Sequence, residues 1–216
     1  VDEEPVGEQS KLLGNSEPMR ELREMIDKVY EHSKRAEGIV NSMMMHSHSA
    51  SDDWAETDIN TVLEQSITLA KRNSRLQSGT CDPEIILDLD TGMQPISIVP
   101  HEISRVFLSL IENAIDAVCD RQLEQSSSDY KPQIRISTIQ TSDTIDIRVW
   151  DNGPGLPDDI HRRVFEPFFT TKSPGKGTGL GLSISYDLIR QKYNGVMRVE
   201  TELGTFTEFQ VSIPRP

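Results

Sequence analysis

The sequence predicts an α/β fold: a mixed sheet with helices on one face, a two-layer sandwich, preceded by a long α-helix. Three observations predict it. Segments that alternate apolar and polar residues, such as Ile145, Ile147 and Val149, are interleaved with stretches whose apolar residues recur every three or four positions. A narrow apolar stripe runs through residues 16–48, and two glycine clusters, DNGPG at 151–155 and GKGTGLGL at 175–182, punctuate the second half of the chain. Helices gathered on one face are the economical way to bury alternating strands of a mixed sheet.

In chain order, Ser16 as cap and Pro18 in the first turn open the long helix, since a missing N–H costs nothing there. Met19, Leu22, Ile26, Val29, Ser33, Ala36, Val40 and Met43 form a seam along it. Such a helix is about 50 Å long. Its stripe suits a partner helix better than a sheet face, and we read it as half of a helical hairpin at a homodimer interface. The polar stretch HSHSASDDWAET at 46–57 breaks the pattern. The boundaries are therefore residues 1–50 for tail and helix, 51–57 for the linker and 58–216 for one α/β domain. Asp58 caps a helix to about Asn73, and EIILDLD and PISIV are strands around a Thr91-Gly92 turn. Pro100 starts a helix to about Val118, and the loop QLEQSSSDYKP follows. QIRISTIQ and TIDIRVW make a strand pair, 157–166 a short helix and 182–193 another helix, stopped by Asn194-Gly195. Strands 196–201 and 205–213 close the domain as a hairpin.

The 216 residues are 35% hydrophobic and 26% charged, enough for one domain with a real core plus an appendage. Of the net charge of -13, most arises in residues 1–60, which hold 14 acidic against 6 basic residues. That balance opposes non-specific nucleic-acid binding, which needs a basic surface to release counterions. No apolar run approaches the roughly 20 residues that span a bilayer, and no signal-peptide core is present, so this segment is expected to make no membrane contact. Cys81 and Cys119 lack CxxC spacing and are expected to sit reduced in or near a core, which fits the cytoplasm; a membrane anchor upstream in a longer protein stays open.

Asp151 ends an alternating strand and enters a turn that only glycine-rich chain can make, so its carboxylate is fixed where it can accept an exocyclic amine. The second glycine cluster runs into the apolar helical pattern of Leu182, Ile184, Leu188 and Ile189. Its side-chain-free amides thus lie at a helix N-terminus, where N–H groups and the dipole favour phosphate oxygens. Together they form a nucleotide pocket, with the segment between as a lid. On the helix from Pro100, Ile103, Val106, Phe107, Leu110, Ile111, Ala114, Ile115 and Val118 make the buried face. Arg105, Ser109, Glu112, Asn113 and Asp116 share another side. Alone, that side would read as a solvated face; next to a phosphate pocket, the Asn113 amide oxygen suits Mg²⁺, which takes one or two protein oxygens besides phosphates and waters.

These motifs, IENAIDAV at 111–118, DNGPG at 151–155, VFEPFFTTK at 164–172, GKGTGLGL at 175–182 and GTFTEF at 204–209, resemble in order and spacing those of sensor histidine kinases. The ATP-binding domain of that family has the Bergerat fold of gyrase, heat-shock chaperones and mismatch-repair ATPases. Residues 31–48 also resemble the second helix of the family's dimerisation and phosphotransfer hairpin. The resemblance implies that Asp151 accepts the adenine amine, with Gly153 and Gly155 beneath the base and Thr207 supporting it from the last strand. It implies Asn113 as Mg²⁺ ligand with Asp116 nearby, Gly177, Thr178, Gly179, Leu180 and Gly181 around the phosphates, and Lys172 reaching them from the lid. Phe165, Phe168 and Phe169 are expected to pack rather than react. The implied activity is transfer of the γ-phosphoryl group of Mg-ATP to a histidine, then to a response regulator receiver domain.

Two positions depart from the family pattern. Ser109 stands four before Asn113, where these kinases carry Asn and the related ATPases a catalytic Glu, so water activation is disfavoured. Glu112 is a candidate substitute whose ordinary reading is an exposed helix charge. The phosphoacceptor box is absent: His32, His46, His48, His101 and His161 match it by type only, and the acceptor is expected on a hairpin helix preceding this chain. Two rivals stay open, a serine kinase or ATPase on the same fold and a non-catalytic module in which nucleotide only orders the lid.

Overall fold

The computed structural model describes residues 20–21, 25–26, 29, 53–78, 81–125, 129–172 and 177–215. It divides into two compact units, Ser51–Phe169 with Gly179–Pro216, and Thr170–Thr178 with the N-terminal Val1–Ala50.

The larger unit begins with β1 (Ala55–Thr57) and α1 (Ile59–Ser78). Asp58 caps α1 as expected: its carboxylate accepts the N–H groups of Asn60 at 2.9 Å and Thr61 at 3.3 Å. Ile59, Val62, Leu63, Ile67 and Ala70 bury one face, the spacing of an amphipathic helix. β2 (Glu84–Leu89) and β3 (Ile96–Ile98) flank the Thr91-Gly92 turn, where Asp90 Oδ1 accepts Gly92 N–H at 2.9 Å. The N–H of Gln140 donates to Asp90 Oδ2, and these two backbone bonds, Gln140 first, hold the Asp90 carboxyl below its ordinary value. α2 (Pro100–Glu124) has Pro in its first turn and buries Ile103 through Val118 on the expected face. Next come β4 (Gln133–Gln140), β5 (Thr144–Asp151), α3 (Asp158–His161), α4 (Gly181–Gln191), β6 (Val196–Glu202) and β7 (Phe206–Pro214).

The main sheet has five strands in the order β2-β4-β5-β7-β6, with β2 parallel to β4 and the other pairs antiparallel. Alternation decides its faces. Ile134, Ile136, Ile145, Ile147, Val149, Phe209, Val211 and Ile213 join the helix residues in one core. The opposite face carries Arg135, Arg148 and Trp150, with Arg135 over the Trp150 ring at 5.2 Å. This is the expected two-layer arrangement.

The structure differs from expectation in four places. Residues 55–57, inside the expected linker, form β1 and pair with β3 from Ile98 back to Ile96. α2 runs a turn and a half beyond Val118, because polar residues past the apolar stripe stay helical. α3 covers only 158–161, and turns follow it. Cys81 and Cys119 are not reduced: they form a disulfide with Cα atoms 5.7 Å apart. Parallel pairing sets the start of β2 beside the start of β4, which follows α2, so the chain entering β2 meets the end of α2. Sequence spacing cannot show this closure, and cysteine usage no longer argues for a reducing compartment. Most of the long helix from 16 to 48 lies outside the described residues; within it Arg20, Glu21, Met25, Ile26 and Val29 are helical, with Ile26 57% and Val29 68% exposed. Among the described residues no helix is long and apolar enough to cross a membrane.

Candidate nucleotide site

Strand register builds one end of the site. Asp151, the last residue of β5, lies directly opposite Thr207 of β7, and both are buried, 2% and 4% exposed. Gly153 N–H donates to Asp151 Oδ1 at 2.8 Å. A Cβ on Gly153 would stand 2.6 Å from that oxygen and 2.9 Å from the Ala117 Cβ of α2, so the floor beside the carboxylate admits no side chain. Gly155, with φ of 70°, would put a Cβ onto the Glu202 carbonyl. The β6–β7 hairpin secures this turn: Gly204 N–H donates to Pro154 O at 2.7 Å and Leu156 N–H to Thr201 Oγ1 at 2.9 Å.

Burial pushes the Asp151 carboxyl up to about 7, only partly offset by the Gly153 N–H. Its ordinary value is 3.8. Between these values folding takes up a proton, so Asp151's contribution to stability is present at low pH and lost as pH rises from about 4 to about 7. An amine donor is bound more strongly by the ionised form. Affinity for an adenine nucleotide is therefore expected to weaken as pH falls below about 7. In Asp151→Asn it should be weaker by about 1–3 kcal/mol and no longer vary with pH over that window. Calorimetric titrations across pH check both, and a flat profile in the parent would refute the role.

At the other end, α4 starts at Gly181 with Leu180 as its cap residue, no side-chain cap bond and no acidic residue in its first turn. Such a helix start, with no side-chain cap and no acidic residue, suits an anion. Gly179 has φ of 65°; a Cβ there would land on the Phe168 carbonyl carbon and 2.7 Å from the Phe169 oxygen. Phe168, itself at φ of 67°, donates its N–H to Gly179 O at 2.8 Å. A Cβ on Gly181 would meet Ser109 Oγ of α2 at 2.6 Å.

α2 spans the two ends. Ser109 abuts Gly181 and Ala117 abuts Gly153, about 12 Å apart along the helix axis, comparable to the reach of a nucleotide from base to phosphates. Half-buried Asn113 lies one turn from each, with half-buried Asp116 beside it. Among the described residues no three His, Cys, Asp or Glu side chains group to hold a metal. A single amide oxygen sharing the ion with phosphates, the usual Mg²⁺ arrangement, is the fit these residues offer.

Lys172, Gly177 and Thr178 fall in the smaller unit. There Lys172 N–H donates to Thr170 Oγ1 at 3.2 Å, and a Cβ on Gly177 would crowd Thr170 and Lys172. Phe165 packs as expected, stacked on Tyr186 at 4.8 Å and edge-on to Phe209 at 6.3 Å. Phe169 lies under the Arg163 guanidinium at 4.3 Å, whereas Phe168 is 45% exposed. Glu112 is not an exposed charge: half-buried, it accepts Asn73 Nδ2–H from α1 at 2.8 Å. That bond turns it to the α1 side. His101 and His161 are exposed, and His32, His46 and His48 lie outside the described residues.

Sequence reasoning missed the group that grips the DNG turn. Arg121 donates from one guanidinium nitrogen to Asn152 O and Gly153 O, both at 2.8 Å, and stacks over the Tyr130 ring at 4.9 Å. Tyr130 OH donates to Asn152 Oδ1 at 2.9 Å, which also accepts Gln133 N–H at 2.8 Å. Desolvation raises the Tyr130 hydroxyl to about 12, so it stays a donor. The signal was available: Ser109, Asn113, Ala117 and Arg121 form one i, i+4 stripe.

Residues 98–216 match the family model described as histidine kinase-, DNA gyrase B- and HSP90-like ATPase. Sporulation kinase E of Bacillus subtilis is 28% identical over 84% of this chain and 22% of its own length. The sensory histidine kinase/phosphatase NtrB of Rhizobium meliloti is 28% identical over 90% of this chain and 50% of its own. The sensor kinase CckA of Brucella abortus is 33% identical over 62% and 15%. The chain thus spans half or less of these relatives. A nucleotide-free catalytic domain of histidine kinase ThkA superposes with a TM-score of 0.61, 24% identity and coverage of 76% of this chain and 96% of that domain, a likeness of fold.

Proposed function

Because this chain belongs to the histidine kinase-, DNA gyrase B- and HSP90-like ATPase family and matches sensor histidine kinases among its relatives, we propose that it binds Mg-ATP and presents the γ-phosphoryl group to a histidine supplied from outside the chain. The observation that carries this reading is the α2 span: one helix touches Gly153 beside a buried carboxylate and Gly181 at an uncapped helix start. Asp151 and Thr207 hold the base edge, and Gly153 and Gly155 let the turn beneath it pack closely against Ala117 and the Glu202 carbonyl. The α4 amides with Gly179, Leu180 and Gly181 take the phosphates. Mg²⁺ on the Asn113 amide oxygen would neutralise phosphate charge. With no carboxylate at Ser109 and Glu112 engaged by Asn73, no base activates water, and catalysis is positioning. The phosphoryl group would pass to a response regulator receiver domain. The exposed Ile26 and Val29 support pairing of the N-terminal helix in a homodimer; no nucleic acid or membrane contact is proposed for this segment.

Labelling with γ-labelled ATP tests the reading. The chain alone is expected to bind ATP while incorporating and releasing little label. Adding a family hairpin that carries an acceptor His should yield an acid-labile, base-stable product. Acid-stable labelling would favour the serine kinase, rapid phosphate release the ATPase, and tight binding with no transfer to a complete hairpin the non-catalytic module.

A further inference from the structure

We propose that Cys81–Cys119 is a site of thiol–disulfide exchange, with a dithiol as co-substrate, that sets how firmly the DNG turn is held. The inference rests on the nucleotide reading and deepens it. Cys119 lies in the last turns of α2 between the two residues that touch that turn, Ala117 against Gly153 and Arg121 on the carbonyls of Asn152 and Gly153. Residues 122–125 are exposed, so the end of the helix has little apolar burial to fix it. The disulfide ties it covalently to the chain entering β2. In surroundings that keep thiols reduced, disulfides are usually transient and serve redox sensing or catalysis.

Cys119 is 6% exposed and Cys81 is half-buried, so an incoming thiolate reaches the Cys81 sulfur more readily. Attack forms a mixed disulfide with Cys81, and the S–S electron pair leaves on Cys119, which takes a proton. The second thiol of the reductant then closes its own disulfide and releases Cys81 as a thiol. Two electrons and two protons pass from dithiol to protein. In the reduced form the helix end that carries Arg121 loses its tie, the gripped state of the turn is less populated, and apparent nucleotide affinity falls in proportion.

The test uses the full chain, oxidised or treated with dithiothreitol, with thiols counted by alkylation and mass. On reduction the Kd for Mg-ATP is expected to rise about fivefold or more and to return on re-oxidation. Cys81→Ser should bind with the reduced form's affinity and ignore dithiothreitol. Hydrogen exchange of the Asn152, Gly153 and Gly155 amides gives a second readout in the parent, faster after reduction. Equal affinity and equal exchange in both states at a confirmed thiol count would overturn the proposal, as would a Cys81→Ser variant that still responds to reductant. Absence of ATP binding in both states would overturn the nucleotide reading instead, and the exchange measurement would still decide whether the disulfide controls the turn.

Discussion

Asn113→Ala is expected to fold like the parent, to lose the Mg²⁺ dependence of ATP binding, and to slow phosphotransfer to a supplied hairpin by about 10³-fold or more, about 4 kcal/mol of transition-state stabilisation. The expectation follows from position. Asn113 lies one turn from Ser109, which abuts the start of α4, and one turn from Ala117, which abuts the base floor. On the proposed reading its amide oxygen would hold Mg²⁺, which would supply neutralisation of phosphate charge. Its half-buried side chain has partners, so truncation removes about 1 kcal/mol of stability at most, and alanine's helix propensity offsets part of that. Transfer assays with Mg²⁺ titration and a melting curve separate the terms. A variant with normal transfer and normal Mg²⁺ dependence would remove Asn113 as ligand.

Gly155→Ala should destabilise the fold by about 3 kcal/mol, from strain in the left-handed region plus overlap with backbone. At φ of 70° the new methyl group is aimed at the carbonyl of Glu202, which belongs to a β-strand and cannot swing aside as a side chain would. A melting temperature lower by about 10 °C is expected for a chain of this size. Gly204→Ala is the control: its φ is 79°, yet a Cβ there meets nothing within 4 Å, so it carries strain of about 1–2 kcal/mol without the clash. Equal melting temperatures for the two variants would show that the contact with Glu202 contributes nothing. The same variant should lose ATP affinity more steeply than stability, because the displaced turn carries Asp151 and Gly153.

Most of the fold was legible because one-sided burial writes itself into period. The alternation of Ile145, Ile147 and Val149 fixed a strand and its inward face, and Asp58 marked a helix start that its carboxylate does cap. Asp151 and Thr207 were both named from the sequence, though only the register shows them opposite each other on neighbouring strands. What failed to show depends on tertiary contact. The tail of α2 is polar, so no stripe announced it; it is helical, and Arg121 anchors it to the DNG carbonyls. β1 is three residues of AET, too short for periodicity, and exists through pairing with β3. The disulfide closes a sequence separation of 38 residues through a parallel strand pair, which no spacing rule encodes. Glu112 looked like surface charge because its partner, Asn73, is remote in sequence.

The hydrogen bond from Phe168 to Gly179 gives the segment between them a pinched neck. Both neck residues have φ near the same positive value, 67° and 65°, so the chain enters and leaves in matching conformations at one point of the larger unit. A loop tied at its base pays closure entropy only logarithmically in its length, so doubling the segment would cost about 0.6 kcal/mol. Changes in its length are therefore expected to leave the sheet and its core as they are.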